Sequence, residues 1–98
     1  MAANNPAQTL TIGQPRAYSG VNCRVTDDME SNSDVRTLRA SGQTVRVIQG
    51  IAWVTLDGAD IILHPSDSVY LRPGAPAATI SRLGSETLVY EIVWACGR

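Results

Sequence analysis

The regular spacing of turn residues after position 42 constrains the fold of this chain more than any other feature of its sequence. Apolar segments of a few residues are separated by Gly50, Asp57-Gly58, Pro65-Ser66-Asp67, Pro73-Gly74 and Gly84-Ser85. An Asp-Gly pair between two apolar segments is a strong hairpin signal, because glycine tolerates the positive φ that short hairpin turns need. Short strands at regular spacing favour an antiparallel sandwich or barrel. The sequence therefore predicts an all-β fold.

Alternation of apolar and polar residues gives the expected strand positions. Strands are predicted at residues 9–12, 21–25, 44–49, 51–56, 60–64, 68–72, 77–83 and 87–95. The acidic stretch at residues 27–34 is predicted to be a solvated loop, because its side chains tend to bond their own backbone. The 98 residues form one domain. We divide it into an N-terminal arm at residues 1–34 and a barrel core at residues 35–98.

Charge and cysteine content limit the classes of partner. Nine acidic residues oppose eight arginines, and a net charge of −1 argues against a nucleic-acid partner, which would require a basic face. The apolar runs are too short to span a membrane. Cys23 and Cys96 have no metal-binding or redox spacing, and the first ten residues lack the basic and apolar regions of a secretory signal. These observations predict a cytoplasmic protein with reduced cysteines, although one disulfide is an alternative in an exported protein.

The segment from residue 35 to residue 93 resembles a cupin, a small double-sheet jelly roll. The resemblance rests on Gly50, on Gly58, on Ser66-Asp67 and on the Pro73-Gly74 turn, which occur in the order expected for that family. The motifs at residues 50–55 (GIAWVT) and 71–74 (LRPG) are similar to those of a bacterial group of uncharacterised cupin-like proteins. The implied fold is a cupin-like antiparallel β-barrel.

The same resemblance predicts that no metal is bound. Catalytic cupins hold their metal with two histidines and a glutamate on an early strand, and with a histidine after the late Pro-Gly turn. Residues 33–41 contain neither histidine nor glutamate, and Ala77 stands after the turn. A metal site needs imidazoles and carboxylates that converge from several strands. We expect no metal and no cofactor.

His64 is the only imidazole in the chain and is the strongest candidate for a general base. Asp67 or Asp60 would then orient its ring. The favoured interpretation is a partly exposed histidine at a strand end, because this spacing is not a specific catalytic motif.

A small-molecule site would use the aromatic and arginine side chains of the predicted strands. Trp53 and Tyr70 are the candidate liners, and Arg46 or Arg72 is the candidate anchor for an anion, with His64 as a further polar group. Trp53 lies in the middle of an apolar strand, and we expect its side chain to be in the core.

Two functions are compatible with the sequence. The first is a non-catalytic, metal-free binding or assembly module, expected to be a homodimer. Residues 1–12 could add a strand to a neighbouring copy, and the aromatic end of residues 88–94 suits an interface. The second is a metal-free sensor or enzyme that holds a small molecule in the barrel interior.

Overall fold

Eight strands form the fold in this computed structural model, which describes residues 21–96. The strands are β1 (Asn22–Met29), β2 (Val35–Leu38), β3 (Gln43–Gln49), β4 (Ile51–Leu56), β5 (Ala59–Leu63), β6 (Ser68–Leu71), β7 (Ala78–Leu83) and β8 (Leu88–Ala95). Their positions follow the apolar segments between the predicted turns. The all-β prediction is confirmed, and β3 to β8 match the predicted strands to within one residue at each end.

The strands form two antiparallel four-stranded sheets. Sheet A has the order β1-β8-β3-β6, and sheet B has the order β2-β7-β4-β5. Successive strands therefore alternate between the sheets, except at the β4–β5 hairpin, which lies within sheet B. This arrangement is that of a jelly roll. One open side of the sandwich lies between the edge strands β1 and β2, and the other lies between the edge strands β5 and β6.

The core fills the space between the sheets. It is built from alternate residues of each strand, because successive side chains point to opposite faces. Its largest fully buried side chains are Tyr90, Met29, Leu71, Ile80, Leu88, Val45, Val47 and Val54. The interior of the barrel is thus occupied by apolar side chains of the protein itself.

Strand β1 extends the barrel towards the N-terminus. It pairs with β8 along its whole length, from Asn22 opposite Ala95 to Met29 opposite Leu88. The barrel therefore includes Asn22–Met29, which precede Val35, and the prediction of a loop beginning at Asp27 is wrong for its first three residues. The strand predicted at residues 9–12 lies outside the described residues.

Strand β8 is an internal strand of sheet A, between β1 and β3. Leu88 and Tyr90 are fully buried in the core of their own chain. These two residues are therefore unavailable to a partner. Trp94, the aromatic end of the stretch, is exposed, and an interface there stays a prediction.

Cys23 and Cys96 form a disulfide across the β1–β8 pair. Their Cα atoms are 5.7 Å apart, because Cys23 lies opposite Trp94 and the amide of Cys96 donates a hydrogen bond to the carbonyl of Val21. The expectation of reduced cysteines is wrong, and the pairing is typical of a protein from an oxidising compartment.

The described residues contain no helix long and apolar enough to cross a membrane.

Candidate functional site

A cleft lies at the open side of the sandwich between β5 and β6. Its volume is about 320 Å³, which is the lower end of the range for small-molecule sites. Both sheets contribute to it, because β5 is the edge of sheet B and β6 is the edge of sheet A. The lining residues are Leu56, Asp57, Ala59, Ile61, Tyr70, Arg72 and Ala75.

The floor of the cleft is apolar. Leu56, Ile61 and Ala75 pack against the buried core, so their positions are set by the interior of the barrel. Ala59 lies opposite Leu56 in the β4–β5 pair and leaves room where a longer side chain would fill the space. A ligand in this cleft would place an apolar body against these four side chains.

Charged and polar groups stand at the rim of the cleft. Asp57 begins the β4–β5 hairpin with a φ of 53°, and Arg72 follows the last residue of β6. Tyr70 lies beside the glycine that precedes β3, since a Cβ built on Gly42 would be 3.7 Å from its hydroxyl. Among the described residues neither Asp57 nor Arg72 takes part in an ion pair. The lining of the cleft therefore includes one carboxylate and one guanidinium.

The structure brings together two of the five predicted site residues. Tyr70 and Arg72 line the cleft. Trp53 lies on the outer face of sheet B with 42% of its surface exposed, so the prediction of a core tryptophan is wrong. The inner positions of β4 are taken by Ala52 and Val54, which are buried.

Arg46 forms an ion pair on sheet A, away from the cleft. It lies on the outer face of sheet A, and its guanidinium is 3.4 Å from a carboxylate oxygen of Glu91. Arg24 contacts the other oxygen of Glu91, also at 3.4 Å. Glu91 is buried, and two arginines neutralise it from the neighbouring strands β1 and β3. Arg46 therefore does not reach the cleft.

His64 lies in the turn between β5 and β6, at the end of these strands that is distant from the cleft. Its amide donates to Asp67 at 2.9 Å, and its Nδ1 is 3.7 Å from the same carboxylate oxygen. The side chain is exposed, and Asp60 instead accepts a hydrogen bond from Thr55. The residues around His64 form a turn, and the imidazole is not among the residues that line the β5–β6 cleft.

The opposite open side of the sandwich is closed by a hydrogen-bonded group of three residues that sequence analysis missed. The Tyr90 hydroxyl donates to Asp27 at 2.9 Å, and Arg36 donates to the same oxygen at 3.1 Å. Asp27 and Tyr90 are register partners in sheet A, whereas Arg36 belongs to sheet B. The group therefore joins the edge strands β1 and β2. The one sequence signal that could have indicated an inner-face position for Asp27 is the alternation along residues 22–29.

Burial and pairing shift the pKa values in this group. Desolvation raises the pKa of Asp27, but hydrogen bonds from Tyr90 and from the amide of Asp28, together with the charge of Arg36, outweigh it and hold the pKa below its usual 3.8. Burial, and then the hydrogen bond to Asp27 and its charge, raise the pKa of Tyr90 well above its usual 10.0. The arrangement is that of a structural contact, with a neutral phenol donating to a carboxylate.

The donor set does not fit a metal of the kind that catalytic cupins bind. Residues 21–96 contain no group of three histidine, cysteine, aspartate or glutamate side chains able to converge on one ion. The inner positions at the start of β7 and in β6 carry Ala78 and Leu71, which are fully buried and offer no donor.

No protein-family model and no curated protein sequence matches this chain. Solved structures do match its fold. A Cupin_2 domain of an XRE family transcriptional regulator from Enterobacter cloacae is 15% identical with a TM-score of 0.64, over 79% of this chain and 83% of that chain. A cupin protein from Bacteroides fragilis is 13% identical with a TM-score of 0.58, over 87% of this chain and 85% of that chain. At this identity the likeness establishes the cupin fold and leaves the function to the site.

Proposed function

We propose that this cupin-fold chain is a non-catalytic binding module that holds a small molecule in the β5–β6 cleft. The observation that carries the proposal is the composition of the cleft, which has an apolar floor and two oppositely charged groups at its rim. Binding sites for small molecules commonly combine a mostly apolar lining with a few placed polar groups.

The charges define the class of ligand. The guanidinium of Arg72 offers a planar fork for a carboxylate or another anion. Asp57 accepts hydrogen bonds and favours a cationic or donor group. A ligand with an apolar body, an anionic end and a donor group, such as a zwitterionic amino acid with an apolar side chain, would satisfy all three features.

Chemistry in the barrel interior, the alternative from the sequence, has less support. Val45, Leu71, Ile80 and Tyr90 fill the space that a substrate would need. The one imidazole lies at the other end of β5. A sensor remains a second candidate, because the Enterobacter cloacae domain is part of a transcriptional regulator. A ligand in the β5–β6 cleft would serve a sensor as well as a carrier.

Three probes with the same phenyl body test the proposal. L-Phenylalanine carries both charges, 3-phenylpropionate lacks the ammonium group, and phenethylamine lacks the carboxylate. We expect saturable NMR shifts at Ala59, Ile61 and Arg72, with the tightest binding for phenylalanine. Shifts that do not saturate, or that do not map to these residues, would contradict the proposal.

Variants at the rim separate specific from general binding. Arg72→Gln should weaken the binding of both carboxylate probes at least about fivefold and leave the binding of phenethylamine unchanged. Asp57→Asn should weaken the binding of phenylalanine and phenethylamine, which carry the ammonium group, and leave that of 3-phenylpropionate unchanged. Arg39→Gln is the matched control, because Arg39 is exposed beside β2, at the opposite edge of sheet B. Equal losses in Arg72→Gln and Arg39→Gln would show that charge in general, and not the cleft, attracts the probe.

A further inference from the structure

The outer face of sheet B is unusually apolar for a surface. Val35, Trp53, Ile62 and Leu83 are exposed by 58, 42, 43 and 37%. Each comes from a different strand of the sheet, so the exposed apolar groups span its full width. Contiguous apolar surface of this kind marks an interaction site more often than scattered single residues do.

The strand register aligns these side chains in rows. One row crosses all four strands as Val35, Ser81, Trp53 and Ile62. Beside it, Leu83 lies opposite Ile51. On the other side the row is Thr37, Thr79, Thr55 and Asp60. Among the outward-facing positions of these strands Asp60 is the only ionisable group, and it lies at a corner.

This face is complementary to a second copy of itself. A two-fold axis parallel to the strands and midway between β7 and β4 would place β7 over β4 of the partner and β2 over β5 of the partner. The small Ser81 would then face the large Trp53, and Leu83 would face Ile51. Two like charges would not meet, because Asp60 would face an uncharged threonine on β2 of the other copy.

We propose that two copies of this chain pack through the outer faces of sheet B about this two-fold axis. Isologous packing of this kind is the commonest form of closed assembly. Stacked sheets lie about 10 Å apart with interdigitating side chains, and the pairing of Trp53 with Ser81 supplies a large group for a small one. The interface uses outward-facing residues that do not line the ligand cleft, so each is tested with its own variants.

The face is small for an interface, which is typical of weak, reversible association. Four strands about 4.8 Å apart and five residues of about 3.3 Å each cover roughly 300 Å² per copy. Together, two such faces bury less than the roughly 1,200 Å² of a standard interface. Interfaces below this size are typical of weak, reversible complexes. We expect a dimer with a Kd above about 1 μM.

Sedimentation of the full chain from about 1 μM to about 1 mM tests the assembly. The native chain should change from monomer to dimer within this range. Ser81→Arg places a long charged side chain at the centre of the face and should keep the chain monomeric. Ser68→Arg makes the same change on the exposed outer face of sheet A and should dimerise like the native chain.

A cross-link tests the geometry. Val35→Cys and Ile62→Cys in one chain are three strand spacings apart, about 14 Å, too far for a bond within one copy. The two-fold axis brings position 35 of one copy to position 62 of the other. Facing Cα atoms on sheets about 10 Å apart are too distant for a direct disulfide, so a bifunctional thiol reagent shorter than about 14 Å supplies the link. We expect a cross-linked dimer whose 35–62 linkage is identified by peptide mass spectrometry.

Three outcomes would overturn the proposal. The first is a native chain that stays monomeric to about 1 mM. The second is a dimer that Ser81→Arg does not weaken, which would place the interface elsewhere. The third is the absence of a 35–62 cross-link. This experiment does not use Ser81→Arg, so it still tests the face if circular dichroism shows that the Ser81→Arg chain is unfolded.

Discussion

Gly50 makes the closest backbone approach among the described glycines, and we expect its replacement to be costly. It joins β3 to β4 with a φ of +83°. A Cβ at this position would lie 2.6 Å from the carbonyl oxygen of Thr87 and 3.0 Å from the Cα of Leu88. Both neighbours are backbone atoms just before or at the start of β8, so neither can move without displacing the strand.

The expected cost of Gly50→Ala has two parts. A non-glycine residue with this φ costs about 1–3 kcal/mol. Forcing a carbon into packed backbone adds about 1–3 kcal/mol, as in other overpacked sites. The sum is about 4 kcal/mol, a large part of the roughly 5–15 kcal/mol by which a domain is stable.

Gly84→Ala is the matched control. Gly84 has a φ of +87°, but a Cβ built there meets nothing within 4 Å. Its replacement carries only the conformational cost of about 1–3 kcal/mol. Both substitutions reduce the freedom of the unfolded chain in the same way, so this contribution cancels in the comparison.

Urea unfolding followed by circular dichroism measures both free energies of unfolding. We expect Gly50→Ala to be less stable than Gly84→Ala by about 2 kcal/mol, which is roughly 8–16 °C in Tm for a domain of this size. Equal stabilities, within about 0.5 kcal/mol, would refute the argument. They would mean that the start of β8 yields to the added carbon at no cost.

Two further contacts give predictions that unfolding experiments can check. Tyr90→Phe removes the hydrogen bond to Asp27 and should lower the free energy of unfolding by about 1–2 kcal/mol; an unchanged midpoint in urea would count against that bond. Because the folded pKa of Asp27 lies below its usual 3.8, its contribution should be complete above that pH and be lost as the pH falls through the folded pKa. The raised pKa of Tyr90 acts in the opposite sense, with stability lost as the pH rises above 10.0, and the loss above that pH should be smaller in Tyr90→Phe. Reduction of the Cys23–Cys96 disulfide, which spans 73 residues, should lower stability by about 4 kcal/mol, and identical melting curves with and without dithiothreitol would contradict this.

The strands were predictable where turn residues bound them. Strand β4 begins and ends where the sequence predicted, because Gly50 and Asp57-Gly58 fix both ends. Strand β1 was predicted too short, because Asp27 and Asp28 suggested a loop. In the structure Tyr90 and Arg36 satisfy the carboxylate of Asp27, and this pairing between distant parts of the chain leaves no local signal.

The site was less predictable than the fold. In strand β4 both faces are apolar, so alternation could not decide whether Trp53 or Ala52 points inward. The cleft depends on β5 and β6 being edges of different sheets, and that arrangement follows from strand order and not from local sequence. Tyr70 and Arg72 were predicted as an aromatic liner and an anion anchor, and both line the cleft. Their part in ligand binding stays a prediction.

Strand β5 has a place in both proposals, since Ala59 and Ile61 line the cleft and Ile62 lies on the outer face. It is hydrogen-bonded to β4 alone, because it is an edge strand. A ligand that shifts or stiffens β5 would therefore change the free energy of dimer formation. By thermodynamic reciprocity, dimer formation would change ligand affinity by the same factor. A chain this small would then have a heterotropic allosteric response, transmitted through the thickness of a single strand.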